Sequence, residues 1–200
     1  MSAVVRSLRR FAGTMVVADD TALVAALRGG EVDGLGAAFD RWHQRVRVLA
    51  QRLLGDEAAA EDVVQEAFEA LPRAVRTYRG DVSLEAFVLS IAVKRARRHR
   101  RAAARRRKAL DELGRRRHAM APTAGDPETD TYRAELARRL ERALGRLPHD
   151  QRVAFVLCEV EGMTAIEAAI VADAKEATMR TRLFHARRKL RIALTAEHDE

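Results

Sequence analysis

Between Ala38 and Leu53 the apolar residues Ala38, Phe39, Trp42, Val46, Leu49, Ala50 and Leu53 recur at three- and four-residue steps. A helix gathers such residues into one stripe, whereas a strand would scatter them over both faces. The chain is also rich in Ala, Leu, Arg and Glu and poor in aromatics and proline, which favours helices over sheet. An all-α protein is expected.

Punctuation residues divide the chain into successive helices. Asp19 and Asp20 can cap a short first helix carrying Leu23 and Leu27, which Gly29 and Gly30 end. The striped helix follows and stops at Gly55 and Asp56. A third is predicted from Ala58 to Arg76, with Val64, Ala67, Phe68 and Leu71 inward and Glu61, Asp62, Gln65, Glu66 and Glu69 outward. Pro72 lacks an N–H and should kink or end it early. Tyr78 to Val82 reads as a turn, and Ser83 as the N-cap of a helix whose buried side is Phe87, Val88, Ile91 and Ala92. From Lys94 to Arg117 that helix carries thirteen Lys or Arg against two acids, a density suited to a solvated face or a nucleic-acid contact.

Residues 118–130, with Pro122, Gly125 and Pro127, read as a flexible linker. Beyond it Leu136, Leu140, Leu144 and Leu147 share a face until Pro148, and Val153, Phe155, Val156, Leu157 and Val160 supply a buried segment. Thr164-Ala165-Ile166-Glu167 has the form of a capping box and marks a short helix ending near Ala172. Asp173-Ala174-Lys175 then leads to a last helix from Glu176 to about Ala193, with Met179, Leu183, Ala186 and Leu190 inward. This is helix-turn-helix spacing, whose second helix suits a DNA major groove. The expected organisation is a disordered tail over 1–18, a helical domain over 19–117, the linker, and a helix-turn-helix domain over 131–195.

A formal net charge of +8 and a pI near 10.6 imply a polyanionic partner. The single Cys158 excludes an internal disulfide and a Cys-rich zinc site, and is expected to be a buried thiol in a reducing cytoplasm. His43, His99, His118, His149, His185 and His198 lack metal-ligand spacing, and no acid pair has a partner that would tune it for catalysis. A protein without cofactor, metal or enzymatic activity is expected. No stretch has the length and apolarity of a membrane span, so stable membrane insertion is not expected.

Two blocks of sequence resemble the sigma factors of bacterial RNA polymerase. Ala60-Glu61-Asp62-Val63-Val64-Gln65-Glu66-Ala67-Phe68, Tyr78-Arg79-Gly80-Asp81 and Ile91-Ala92-Val93-Lys94 are similar to the family's region 2. Leu147-Pro148-His149-Asp150-Gln151-Arg152, Glu161-Gly162-Met163-Thr164 and the run Thr178 to Arg187 are similar to region 4. The order of the blocks and the lack of further domains resemble the compact extracytoplasmic-function group. A free-standing helix-turn-helix regulator is the alternative, but it leaves the acidic third helix and the Tyr-Arg-Gly-Asp loop unexplained.

The resemblance implies that Glu61, Asp62, Gln65, Glu66 and Glu69 dock on core RNA polymerase. It implies that Tyr78, Arg79, Phe87, Lys94, Arg95, Arg97 and Arg98 meet the minus-ten promoter element, with Arg100 and Arg101 extending the backbone grip. Lys175, Glu176, Thr178, Arg180, Thr181, Arg182 and His185 would meet the minus-thirty-five element, and Arg187 and Arg188 phosphates or solvent. An anti-sigma factor is the further partner implied. Lys94 stands where relatives have Asn, and Lys contacts phosphate but does not read a base edge as an amide does. Phe87 replaces a common Trp, and the turn before the last helix lacks the Pro and Gly frequent in relatives.

Overall fold

The computed structural model describes residues 20–112 and 131–196. The tail expected over 1–18, the linker 118–130 and Arg115 to Arg117 lie outside the described residues, as does the side chain of Leu136. The described residues form α1 (Asp20–Gly29), α2 (Val32–Leu54), α3 (Glu57–Ala74), a 3-10 turn (Val75–Thr77) and α4 (Leu84–Glu112). After the linker come α5 (Thr131–Gly145), α6 (His149–Phe155) with a π-helical turn (Val156–Val160), α7 (Ala165–Ala172) and α8 (Glu176–Ala196). The fold is all-α, with no strand among the described residues.

Helices α2, α3 and α4 pack against one another around Trp42, Leu49, Leu53, Val63, Leu71, Leu84 and Leu89, with α1 laid across α2. The termini form where the sequence supplies their caps. Gly55 takes φ 70° and returns its N–H to Gln51 O at 2.8 Å, ending α2. One residue later the Asp56 carboxylate accepts from Ala59 N at 2.7 Å and starts α3. Pro72 lies inside α3, which gives way to the 3-10 turn after Ala74 rather than running on to Arg76. Ser83 Oγ accepts from Ala86 N at 3.2 Å and opens α4.

Phe39 departs from its expected place in the stripe: it is 41% exposed. It lies at the edge of the α2 stripe, where its ring stacks on His43 at 4.7 Å and meets Phe68 edge-on at 5.0 Å, with solvent beyond.

In the second half α6 and α8 pack together, with α5 and α7 against α8, around Leu144, Leu147, Val153, Leu157, Val171, Met179 and Leu190. The capping box at α7 is complete: Thr164 Oγ1 accepts from Glu167 N at 3.2 Å, and Glu167 accepts from Thr164 N at 2.8 Å. The turn into α8 uses Asp173 at φ 52°, a left-handed conformation that Asp tolerates better than most residues. That explains how the turn closes without glycine. Residues 20–112 and 131–196 also touch directly, chiefly where α4 meets α7.

Candidate functional site

The five polar residues expected to face outward on α3 separate into two groups. Glu61, Asp62, Gln65 and Glu69 are exposed on its outer face, with Gln65 Nε2 donating to Glu69 at 2.8 Å and Glu61 paired with Arg47 at 3.1 Å. Glu66 turns aside toward α4, where it meets His99 at 2.9 Å and Arg95 at 3.6 Å. Four of the five expected docking residues therefore share one open face, and the fifth joins α3 to the basic helix.

The turn from Tyr78 to Ser83 is shaped from within. Tyr78 is half-buried, its hydroxyl donates to Val82 O at 2.6 Å, and its ring tilts against Phe87 at 5.0 Å. Burial, helped by Asp20 and Asp81, raises the Tyr78 pKa and keeps that donor protonated. Tyr78 thus braces the loop, and Arg79, Gly80, Asp81 and Ser83 form its exposed tip.

On α4 the cations sort by direction. Lys94, Arg98, Arg101 and Arg105 are exposed at i, i+4, i+7 and i+11, a single stripe along the helix. Arg95 turns to Glu66, while Arg97 reaches the other half of the molecule, where its Nη2 donates to Ala172 O at 3.1 Å and lies 3.7 Å from Asp150.

On α8, Met179, Ala186 and Leu190 are buried, while Lys175, just before the helix, and Arg180, Thr181 and His185 are exposed. Glu176 and Thr178 are half-buried. Arg180 pairs with Glu176 one turn back, its Nε at 2.9 Å, and Thr181 Oγ1 donates to Ala177 O. Arg182 leans inward instead, its Nη2 2.6 Å from Asp150 Oδ2. Asp150 therefore stands between one arginine from each half, Arg97 and Arg182.

Residues not singled out as interacting groups in the sequence hold the halves together. Arg152 is 2% exposed and donates to Leu53 O at 3.0 Å and Gly145 O at 2.6 Å, satisfying carbonyls at the ends of α2 and α5. Burial is the main cause that lowers its pKa to about 10, with Arg100 adding to it. Its signal was present in the pattern, because Arg152, Val156 and Val160 recur every fourth residue on a buried face. The Glu161 side chain, only 6% exposed, is gripped by Arg45 at 3.2 Å and Arg52 at 3.1 Å. His149 has both ring nitrogens buried without a hydrogen bond; burial above all, then Arg100, Arg152 and Arg97 against Asp150, lowers its pKa to about 4. Cys158 is buried, and burial raises its pKa. No group of His, Cys, Asp and Glu among the described residues could hold a metal ion.

Residues 38–117 match the family model of Sigma-70 region 2, and residues 137–190 that of Sigma-70, region 4. The ECF RNA polymerase sigma-E factor of Escherichia coli K12 is 30% identical over 179 residues, covering 84% of this chain and 90% of that relative. The chain belongs to the extracytoplasmic-function sigma factors. The RNA polymerase sigma-H factor of Pseudomonas aeruginosa is 29% identical over 181 residues, 88% of this sigma factor and 93% of the relative. Among solved structures, CnrH in complex with the cytosolic domain of CnrY aligns with a TM-score of 0.60 and 28% identity over 88% of this chain and 97% of that one. The sigma factor RpoE of Bartonella quintana, solved with the anti-sigma factor NepR, shares the fold with a TM-score of 0.63 at 21% identity over 82% and 98% of the two chains. This chain is thus a transcription initiation factor of RNA polymerase, with a region 2 and a region 4 in the family's order.

Proposed function

We propose that this sigma factor acts as a non-enzymatic subunit, with its domains over 19–117 and 131–195 joined by the linker 118–130. The open face of Asp62, Gln65 and Glu69, with Glu61, docks on a basic surface of core polymerase. The loop Tyr78 to Ser83 captures an unstacked base of the minus-ten element, and the stripe Lys94, Arg98, Arg101 and Arg105 holds the strand through its phosphates. Lys175, Thr178, Arg180, Thr181 and His185 read the minus-thirty-five element. The observation that carries this reading is the braced loop with an exposed polar tip feeding the helix that bears an unobstructed cation stripe. Single-strand capture needs both parts, a fixed pocket for the base and charge along the backbone.

Elements named minus-ten and minus-thirty-five lie about 25 base pairs apart, which is about 85 Å along B-form DNA. Two domains in direct contact do not span that distance, so promoter reading requires them to part, which releases Arg97 from Ala172 O and Asp150 and leaves Asp150 to Arg182 within the second half. Both solved relatives above are bound to partner proteins, and RpoE's is an anti-sigma factor; an anti-sigma protein is the inhibitor proposed here. No helix among the described residues is long and apolar enough to cross a membrane, and the proposed place of action is the cytoplasm, with the polymerase.

The test is run-off transcription from fragmented bacterial genomic DNA by core polymerase with and without the purified chain. The proposal expects new transcripts whose start sites share one pair of upstream elements, and expects Arg98→Ala with Arg101→Ala to abolish most of them in a salt-dependent way. Transcripts identical with and without the chain would sink it.

A further inference from the structure

Helix α1 belongs to neither family block quoted above, yet it is fixed tightly to the molecule. Leu27 is buried, Asp20 pairs with Arg41 at 3.0 Å, and a Cβ added at Gly34 would lie 2.8 Å from the Ala26 Cβ, so the backbones of α1 and α2 approach as closely as glycine allows. From the last turn of this anchored helix Arg28 reaches across fifty residues of sequence. Its Nη2 donates to Tyr78 O at 2.6 Å and its Nε to Val75 O at 3.4 Å. These carbonyls bracket the 3-10 turn, which Tyr78 N closes on Val75 O at 3.1 Å. The loop that follows turns at Gly80, φ 83°, and is tied within by the Tyr78 hydroxyl on Val82 O.

We propose that Arg28 is a positioning residue for base capture: α1 uses its guanidinium to hold the Tyr78 loop, from outside, in the shape that accepts the unstacked base. This rests on the reading of that loop given above. A loop ordered before binding loses no further backbone freedom when the base arrives, so a clamp outside the pocket strengthens capture without touching DNA. A planar fork that donates from two nitrogens suits two carbonyls on one turn, and a charged donor makes the stronger hydrogen bond. Arg28 itself is exposed, so its removal leaves no cavity in the core.

The experiment uses full-length chain bound to core polymerase and the single-stranded minus-ten segment of a promoter mapped by run-off transcription. The probe is intact or carries one abasic site stepped through the element. Wild type should lose about tenfold in affinity at one captured position, the size expected for one stacked base. Arg28→Ala should bind core as tightly and melt at nearly the same temperature, yet lose that preference to about twofold, with Arg28→Lys intermediate because an ammonium lacks the planar fork. Arg28→Ala retaining the full abasic penalty would overturn the role of Arg28 while leaving base capture intact. Wild type indifferent to an abasic site at every position would instead overturn base capture itself, and the clamp with it.

Discussion

The two halves of this sigma factor solve the same problem, a stable helical unit with a charged exterior, by different means. The half over residues 20–112 has long helices, α2 of 23 and α4 of 29 residues, around an apolar core whose largest buried side chain is Trp42. The second half has α6 and α7 of 7 and 8 residues and places a guanidinium, Arg152, where a hydrophobe would otherwise sit. Long helices bury enough apolar stripe to stand alone. Short ones leave terminal carbonyls close to the core, and Arg152 satisfies two of them, one across the domain contact. The first half should therefore depend on packing, and the second on polar groups that also hold it to the first.

The largest expected effect is on the first half. Trp42→Ala should lower its unfolding free energy by about 4 kcal/mol, measured by denaturant unfolding followed by circular dichroism, with the second-half transition little changed. Next, Arg152→Met, which keeps apolar volume but strands Leu53 O and Gly145 O, should destabilise the second half by about 3 kcal/mol and leave the first nearly untouched. Equal effects of Arg152→Met on both transitions would break the comparison.

His149 gives the same contrast a pH dependence. Its pKa is depressed from 6.5 to about 4 where it packs beside Arg97, Arg100 and Arg152, with Asp150 the opposing charge, so the packed state favours the neutral ring. That stability is full above pH 6.5 and falls as pH drops from 6.5 toward 4. At pH 5 the second half and its contact with the first should be weaker by about 2 kcal/mol than at pH 7.5, and His149→Gln should flatten that dependence. The smallest effect is expected from Glu161→Gln, about 1 kcal/mol, because Arg45 and Arg52 are themselves partly solvated. Small-angle X-ray scattering should nevertheless record a larger radius of gyration for this variant, and an unchanged one would show that Glu161 does not hold the halves together.

What the sequence disclosed was what is local. The caps at Ser83 and Thr164 formed as their local spacing predicts, and so did most of the buried stripes of α2, α3 and α8, Leu183 being only partly covered; the Asp56 cap of α3 stands where the sequence pattern marks only the end of α2. Phe39 escaped because periodicity marks an apolar stripe but not how far the neighbouring helix covers the edge of that stripe. Glu66, Arg97 and Arg182 have the outward spacing of their neighbours, yet each is drawn to a partner on another element, His99, Ala172 O and Asp150. Arg28 and Arg152 act on carbonyls 50 and 99 residues away, a pairing that only the packed molecule brings about.

The central claim is that the outer face of α3 attaches this chain to polymerase. Its most direct test is co-elution of the purified chain with bacterial core RNA polymerase, comparing wild type with Asp62→Arg, Glu69→Arg, both exposed positions whose reversal leaves the core untouched. Stable co-elution of wild type, lost in a variant that circular dichroism shows to be folded, is the predicted result. Co-elution of the variant at wild-type strength would contradict the assigned face.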